Sequence, residues 1–157
     1  MIIRFTLLCF LFVLFFGFVD HANAQDSWWK EKKYSTEAVR AKYQQCKSVF
    51  KEIGQGFSYR NINNINKYFG NQVYLNVISN EKGYYSPAQA ELILMDFMDY
   101  FTVSSFNYKR SSRYNTYAFA VGKYVYRLSG SKRELDILVS LKYCNDNSWM
   151  IDQVTIN

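Results

Sequence analysis

Between Ser105 and Ile156 the chain spells out four successive strand-forming runs, and no other feature narrows the fold as far. The runs are Ser105–Ser111, Tyr114–Leu128, Glu134–Cys144 and Ser148–Ile156, rich in Tyr, Phe, Val, Ile and Leu, the residues that suit a pleated surface. Ser129-Gly130-Ser131 and Asn145-Asp146-Asn147 separate the last three runs with turn chemistry. Parallel neighbours would need a crossover of a dozen or more residues, so strands joined this tightly form an antiparallel meander.

Upstream the period changes. Thr36–Ile53 carries Ala38, Val39, Tyr43, Cys46, Val49, Phe50 and Ile53 on one helical stripe, with Gly54 to Gly56 read as its stop. Asn61–Phe69 reads as a short second helix ended by Gly70, with Ile62, Ile65 and Phe69 at helical spacing. Val73, Leu75 and Val77 then alternate with Tyr74, Asn76 and Ile78 as a strand, and Asn80 to Gly83 reads as a turn. In YYSPAQAELILMDFMDYF, Ser86 is placed to cap a helix, Pro87 suits its first position and Gln89 completes a capping box. Ala90, Ile93, Phe97 and Phe101 share one face of that helix, with Leu94 and Met98 beside them and Asp96 and Asp99 on the polar side. Residues 25–35 read as a loose arm or a first helical turn. The order helix, helix, strand, helix, four strands predicts an α+β fold. Three helices would pack on a strongly curved, mainly antiparallel sheet, making a cone either filled or hollow.

The N-terminus has Arg4, an apolar run from Phe5 to Val19 and then Ala22-Asn23-Ala24. That pattern predicts a signal peptide over residues 1–24, cut after Ala24, and export to the periplasm or beyond. The run is shorter than the ~20 apolar residues a membrane anchor needs, so no transmembrane anchor is expected after cleavage. Residues 25–157 then form a single domain. Cleavage removes His21, the only histidine, together with Cys9. Without imidazole, Ser-His-Asp and Cys-His nucleophiles and histidine-ligated zinc are excluded. Two cysteines cannot make a four-thiolate site, and neither common glycine-rich phosphate loop is present, so neither cofactor nor metal is expected. Cys46 and Cys144 have two readings. One is a disulfide closing a loop of about 100 residues, worth roughly 4–5 kcal/mol in the chain-entropy picture. The other is a pair of free thiols on a helix and at a strand end.

The net charge is +6. Lys30, Lys32, Lys33, Arg40, Lys42, Lys47 and Lys51 form an early basic group, and Lys109, Arg110 and Arg113 a second. Spread along helices and strands in an exported chain, they read as a solvated face, with an anionic envelope surface as the alternative and nucleic acid excluded as a partner. Tyr117, Phe119, Val121 and Val125 fall on one face of their strand, and Ala118, Ala120, Gly122, Tyr124 and Tyr126 on the other. The small residues leave room for a helix or a ligand. Asp136 lies opposite the apolar face of its strand, whereas the phase of Asp152 in MIDQVT is ambiguous. The candidate ligand-contacting set is Asp152, Tyr117, Tyr124, Tyr126 and Phe97.

The stretches FKEIGQGFSYRNINNINKYFGNQVYLNV, GYYSPAQAELILMDFMDYF and SWMIDQVTIN resemble an exported bacterial family catalogued as domain of unknown function 4783. The resemblance covers roughly Val49 to Asn157. It implies a nuclear-transport-factor-2-like, or cystatin-like, cone and an exported location. It implies no activity, because the family has none assigned. That fold hosts isomerases, dehydratases, cyclases and many non-catalytic domains, so fold alone does not choose among them. Members that use an Asp-His pair are excluded by the missing histidine. The expectation is an exported, non-catalytic domain that binds a small apolar ligand or an envelope protein, with a homodimer through the sheet among the partners. The alternative is a histidine-free isomerase or lyase in which a pocket Asp works with a Tyr.

Overall fold

The computed structural model describes residues 27–30, 32–78 and 81–157. The signal-peptide reading of residues 1–24 lies outside the described residues. The elements are α1 (Glu37–Tyr59), α2 (Asn63–Asn66), β1 (Phe69–Asn76), β2 (Lys82–Tyr85), α3 (Pro87–Tyr100), β3 (Val103–Arg113), β4 (Tyr117–Leu128), β5 (Ser131–Tyr143) and β6 (Trp149–Ile156). One six-stranded sheet runs in the order β2-β1-β6-β5-β4-β3. Its β3 to β6 portion is the antiparallel meander that the short turns require. β1 then joins β6 in parallel and folds back on β2 as a hairpin. The architecture is therefore α+β, three helices with a mostly antiparallel sheet.

Thr36 caps α1, its hydroxyl accepting the Val39 N–H at 3.3 Å. The helix does not stop at Gly54-Gln55-Gly56. It continues to Tyr59 and ends at Arg60, whose φ of 54° is left-handed and whose N–H bonds the Gly56 carbonyl. Glycine inside a helix costs about 1 kcal/mol relative to alanine, and close packing is the return. A Cβ at Gly56 would lie 2.5 Å from Ile65 Cγ1, and one at Gly54 3.0 Å from the Tyr108 ring. α2 is shorter than its periodicity suggested, because Phe69 and Gly70 belong to β1, where Phe69 pairs with Ile151 of β6. β2 occupies part of the segment read as a turn. α3 starts as expected: Ser86 Oγ accepts the Gln89 N–H at 3.4 Å and Gln89 Oε1 accepts the Ser86 N–H at 3.1 Å. Ala90, Leu94, Phe97 and Met98 are its buried stripe.

Three bulges keep the apolar face continuous where strict alternation would turn it outward. The β5–β6 register advances from Leu141↔Ile151 to Ser140↔Gln153, leaving Asp152 unpaired. Trp149 and Ile151 before it, and Val154 and Ile156 after it, consequently all face the core. This is why the phase of MIDQVT was ambiguous. Ser104 and Lys109 are the corresponding extra residues of β3. Across the second of them, Phe106, Tyr108, Ser111 and Arg113 pair in turn with Tyr124, Gly122, Ala120 and Ala118 of β4. The small residues of β4 therefore make room for neither a ligand nor a helix alone. At Gly122 the space belongs to a neighbouring strand, since a Cβ there would come 2.3 Å from Phe106 Cζ.

The disulfide reading is corrected: both thiols are free. Cys46 is fully buried on the core face of α1, and burial pushes its pKa up to about 12. Cys144 lies just past β5, its thiol 3.8 Å from the Lys142 carbonyl of the same strand. With an Ellman reagent at pH 8, Cys144 is expected to react promptly and Cys46 only after unfolding, because thiolate and access are both required. A second expectation concerns Gly122. Gly122→Ala should destabilise the fold by about 1–3 kcal/mol through overpacking, read as a lower urea midpoint. Adding Phe106→Leu should recover part of the loss.

Candidate functional site

The concave side of the sheet is packed with rings. Tyr124 is fully buried with its centroid 5.3 Å from Phe97 and 6.5 Å from Phe57, and Phe57 lies 5.3 Å from Phe106. The Tyr124 hydroxyl donates to the Phe101 carbonyl at 2.6 Å. Its pKa is pushed up to about 12, mainly by burial, with Arg60 acting in the opposite sense. Among the described residues, the buried side chains apart from Arg113 and Ser140 are apolar or aromatic.

An opening remains where the C-terminal half of α3 faces the β1–β2 connection. This groove of about 510 Å³ is walled by Val77, Ile78, Ile93, Phe97, Tyr100 and Phe101, with Glu81 and Asp96 as its acidic members. α3 supplies its side of the groove because Ile93 and Phe97 are one turn apart on the same face. Tyr100 is 72% exposed and Ile78 42% exposed, so apolar surface stands open to water beside two carboxylates. Glu81 Oε2 accepts the Tyr85 hydroxyl at 2.8 Å, a bond that raises the tyrosine pKa.

The five candidate residues separate. Phe97 lines the groove, Tyr124 backs Phe97, and Tyr126 packs against Phe101 at 4.9 Å. Tyr117 is elsewhere, on the outer face of the sheet, 2.9 Å from Ser140 Oγ. Asp152 is also elsewhere, exposed on its bulge. Asp136 is exposed and paired with Lys123 at 3.0 Å. Neither aspartate is thus a pocket carboxylate, since the bulge turns Asp152 out and the register turns Asp136 out. Of the groove residues only Phe97 was a candidate from sequence; the rest of the lining, from Val77 to Phe101, was missed. Tyr100, apolar yet next to Asp99 on the polar arc of α3, was the available signal.

A second polar feature lies at the other end of β3. Arg113, grouped from sequence with solvated cations, is only 6% exposed. Its guanidinium donates to the Lys30 carbonyl at 2.6 Å and stands 4.4 Å from the Trp29 ring and 5.6 Å from those of Tyr34 and Tyr43. Ser111 Oγ donates to the Trp28 carbonyl at 2.8 Å. The arm is consequently neither loose nor helical at its tryptophans. Trp28 and Trp29 are buried, Trp28 lying 4.7 Å from Tyr108 and 6.1 Å from Phe50. Among the described residues, no group of three His, Cys, Asp or Glu side chains is placed to hold a metal ion.

No curated protein matches this chain. Solved structures do. A DUF4783 family protein from Bacteroides uniformis is 20% identical, with a TM-score of 0.61 over 68% of this chain and 94% of its own. A protein named Rd1NTF2_05, carrying five substitutions, is 12% identical, with a TM-score of 0.58 over 73% of this chain and 98% of its own. A protein from Shewanella frigidimarina, provisionally described as a ketosteroid isomerase, is 13% identical, with a TM-score of 0.55 over 70% of this chain and 92% of its own. Identities this low speak for the fold alone, which is nuclear-transport-factor-2-like. The profile of the family described as "Domain of unknown function (DUF4783)" matches residues 50–157, and the chain belongs to that family.

Proposed function

We propose that this is an exported, non-catalytic domain of the cell envelope that binds a small apolar ligand in the groove between α3 and the β1–β2 connection. In this reading residues 1–24 are the signal peptide and residues 25–157 the working domain. The observation that carries the proposal is the groove itself, where Ile78, Ile93, Phe97, Tyr100 and Phe101 surround an open volume of about 510 Å³. Covering such surface is worth about 25 cal/mol per Å² of apolar area removed from water. Glu81 and Asp96 at this site favour a neutral or cationic ligand over an anionic one. The enzyme alternative asks for a desolvated carboxylate beside a tyrosine. The pair available at the groove, Glu81 with Tyr85, has its carboxylate in solvent.

The test is a fluorescence titration with Nile red, a neutral apolar dye, on the protein purified from a secreting host. Saturable binding is expected, weakened about tenfold by Ile93→Asp, a loss of some 1.4 kcal/mol. Anionic 1-anilinonaphthalene-8-sulfonate should bind more weakly than Nile red at low salt, and added salt should narrow the gap. Unchanged Nile red binding by Ile93→Asp would place the ligand elsewhere.

A second copy of the chain is the partner that the outer face of the sheet favours. Phe119 and Val121 of β4 and Leu138 of β5 are adjacent there and only half-buried. Sedimentation of the wild type should give a dimer and that of Val121→Lys a monomer, because a lysine on each copy would have to be desolvated at the interface. A monomeric wild type at high micromolar concentration would rule this partner out.

A further inference from the structure

Arg113 is a buried cation, 6% exposed, with no buried carboxylate among the described residues. Among the described residues no carboxylate pairs with it, and its Nε has no hydrogen-bond partner. Its acceptor among the described residues is the neutral carbonyl of Lys30. An uncompensated charge away from water is costly, and the faces of Trp29, Tyr34 and Tyr43 offset only part of that cost. Two further buried groups next to the guanidinium also lack partners, Trp29 Nε1 and the Tyr34 hydroxyl. Arginine Nε and the indole nitrogen can only donate. Three donors, one of them charged, are thus carried by the guanidinium and by two of the rings around it, and among the described residues none of the three has an acceptor.

The approach to this point is basic. Lys32, Lys33 and Arg40 line a cleft of about 580 Å³ that shares Tyr34 with the cage, and Glu37 in the same cleft stands 4.0 Å from Arg40. We propose that Arg113, Trp29 and Tyr34 form a carboxylate-binding site reached through this cleft. The carboxylate would accept from Arg113 Nε, Trp29 Nε1 and the Tyr34 hydroxyl, and an aromatic or apolar body would lie along the rings of Tyr34 and Tyr43. Charge-assisted bonds are the strong class of hydrogen bond, and an anionic acceptor at Arg113 Nε would make one while also compensating the buried charge. The site is distinct from the groove of the proposed function, which lies near the start of β3 and carries the opposite charge.

Benzoate is the probe and benzamide its neutral control of the same shape. The readout is the indole N–H resonance of Trp29 at constant ionic strength, distinguished from those of Trp28 and Trp149 by the variant Trp29→Phe. Benzoate is expected to shift that resonance saturably, and benzamide to leave it in place. Arg113→Lys keeps the charge and loses Nε, so binding should weaken about tenfold. Tyr34→Phe removes one donor from a half-exposed ring and should weaken binding severalfold in a protein that still folds. Acetate binding as tightly as benzoate would leave the carboxylate site standing and remove the role given to the rings. An indole resonance unmoved by benzoate, an equal response to benzamide, or full-strength binding by Tyr34→Phe would overturn the proposal.

Discussion

Phe106 lies across Gly122 of the neighbouring strand, closer than any side chain at position 122 would allow. The pairing is regular from Ser105 to Tyr108, and the Lys109 bulge that follows returns Ser111 and Arg113 to the same inner face. Much of the interior follows from it. With Phe106 and Tyr108 turned inward, α1 must approach over Gly54, and its Phe50 and Phe57 pack against those rings. Trp28 then adds to the same stack through Tyr108 and Phe50. The cone is filled by aromatic rings contributed by a strand, a helix and the N-terminal arm. The groove and the basic cleft lie outside that filled interior, near opposite ends of β3.

The two ends differ in chemistry. Near the start of β3 the groove joins hydrocarbon to Glu81 and Asp96. At its end a buried arginine lies beside a cleft lined by Lys32, Lys33 and Arg40. Val103 and Arg113, the ends of the strand, are ten steps apart, roughly 30 Å at the rise of an extended chain. That is nearly four Debye lengths of about 8 Å at physiological salt, so each end has its own electrostatic character. The net charge of +6 therefore describes neither site.

The start of α3 was legible because capping is local: Ser86, Pro87 and Gln89 act on their own backbone, and no distant residue competes. The meander was legible for the same reason, its turns being short. What failed depended on partners far along the chain. Gly54 and Gly56 looked like a stop because a helix does not announce that Tyr108 and Ile65 will press on it. Asp152 had no readable phase because a bulge adds one residue to one strand and depends on the pairing with β5. Arg113 looked solvated because its burial needs Trp29, which belongs to the arm more than eighty residues earlier. The groove was legible only through Phe97: Ile93, Asp96 and Tyr100 read as ordinary helix positions, and the other walls are Phe101 at the C-terminal cap of α3 and residues just beyond β1, where periodicity has ended.

Residue 50, where the family match begins, separates the two sites in another way. The groove lining, from Val77 to Phe101, falls wholly inside the matched region. The arginine cage straddles its border: Arg113 is inside, while Trp29, Tyr34 and Tyr43 are outside. A guanidinium buried against the sheet needs some cover from water, and in this chain the cover is the arm and the first turns of α1. A relative sharing only the matched region would keep the groove's elements and would have to cover or expose the end of β3 by other means. Ligand binding measured on such a relative would consequently bear on the groove, whereas the cage has to be tested on this chain.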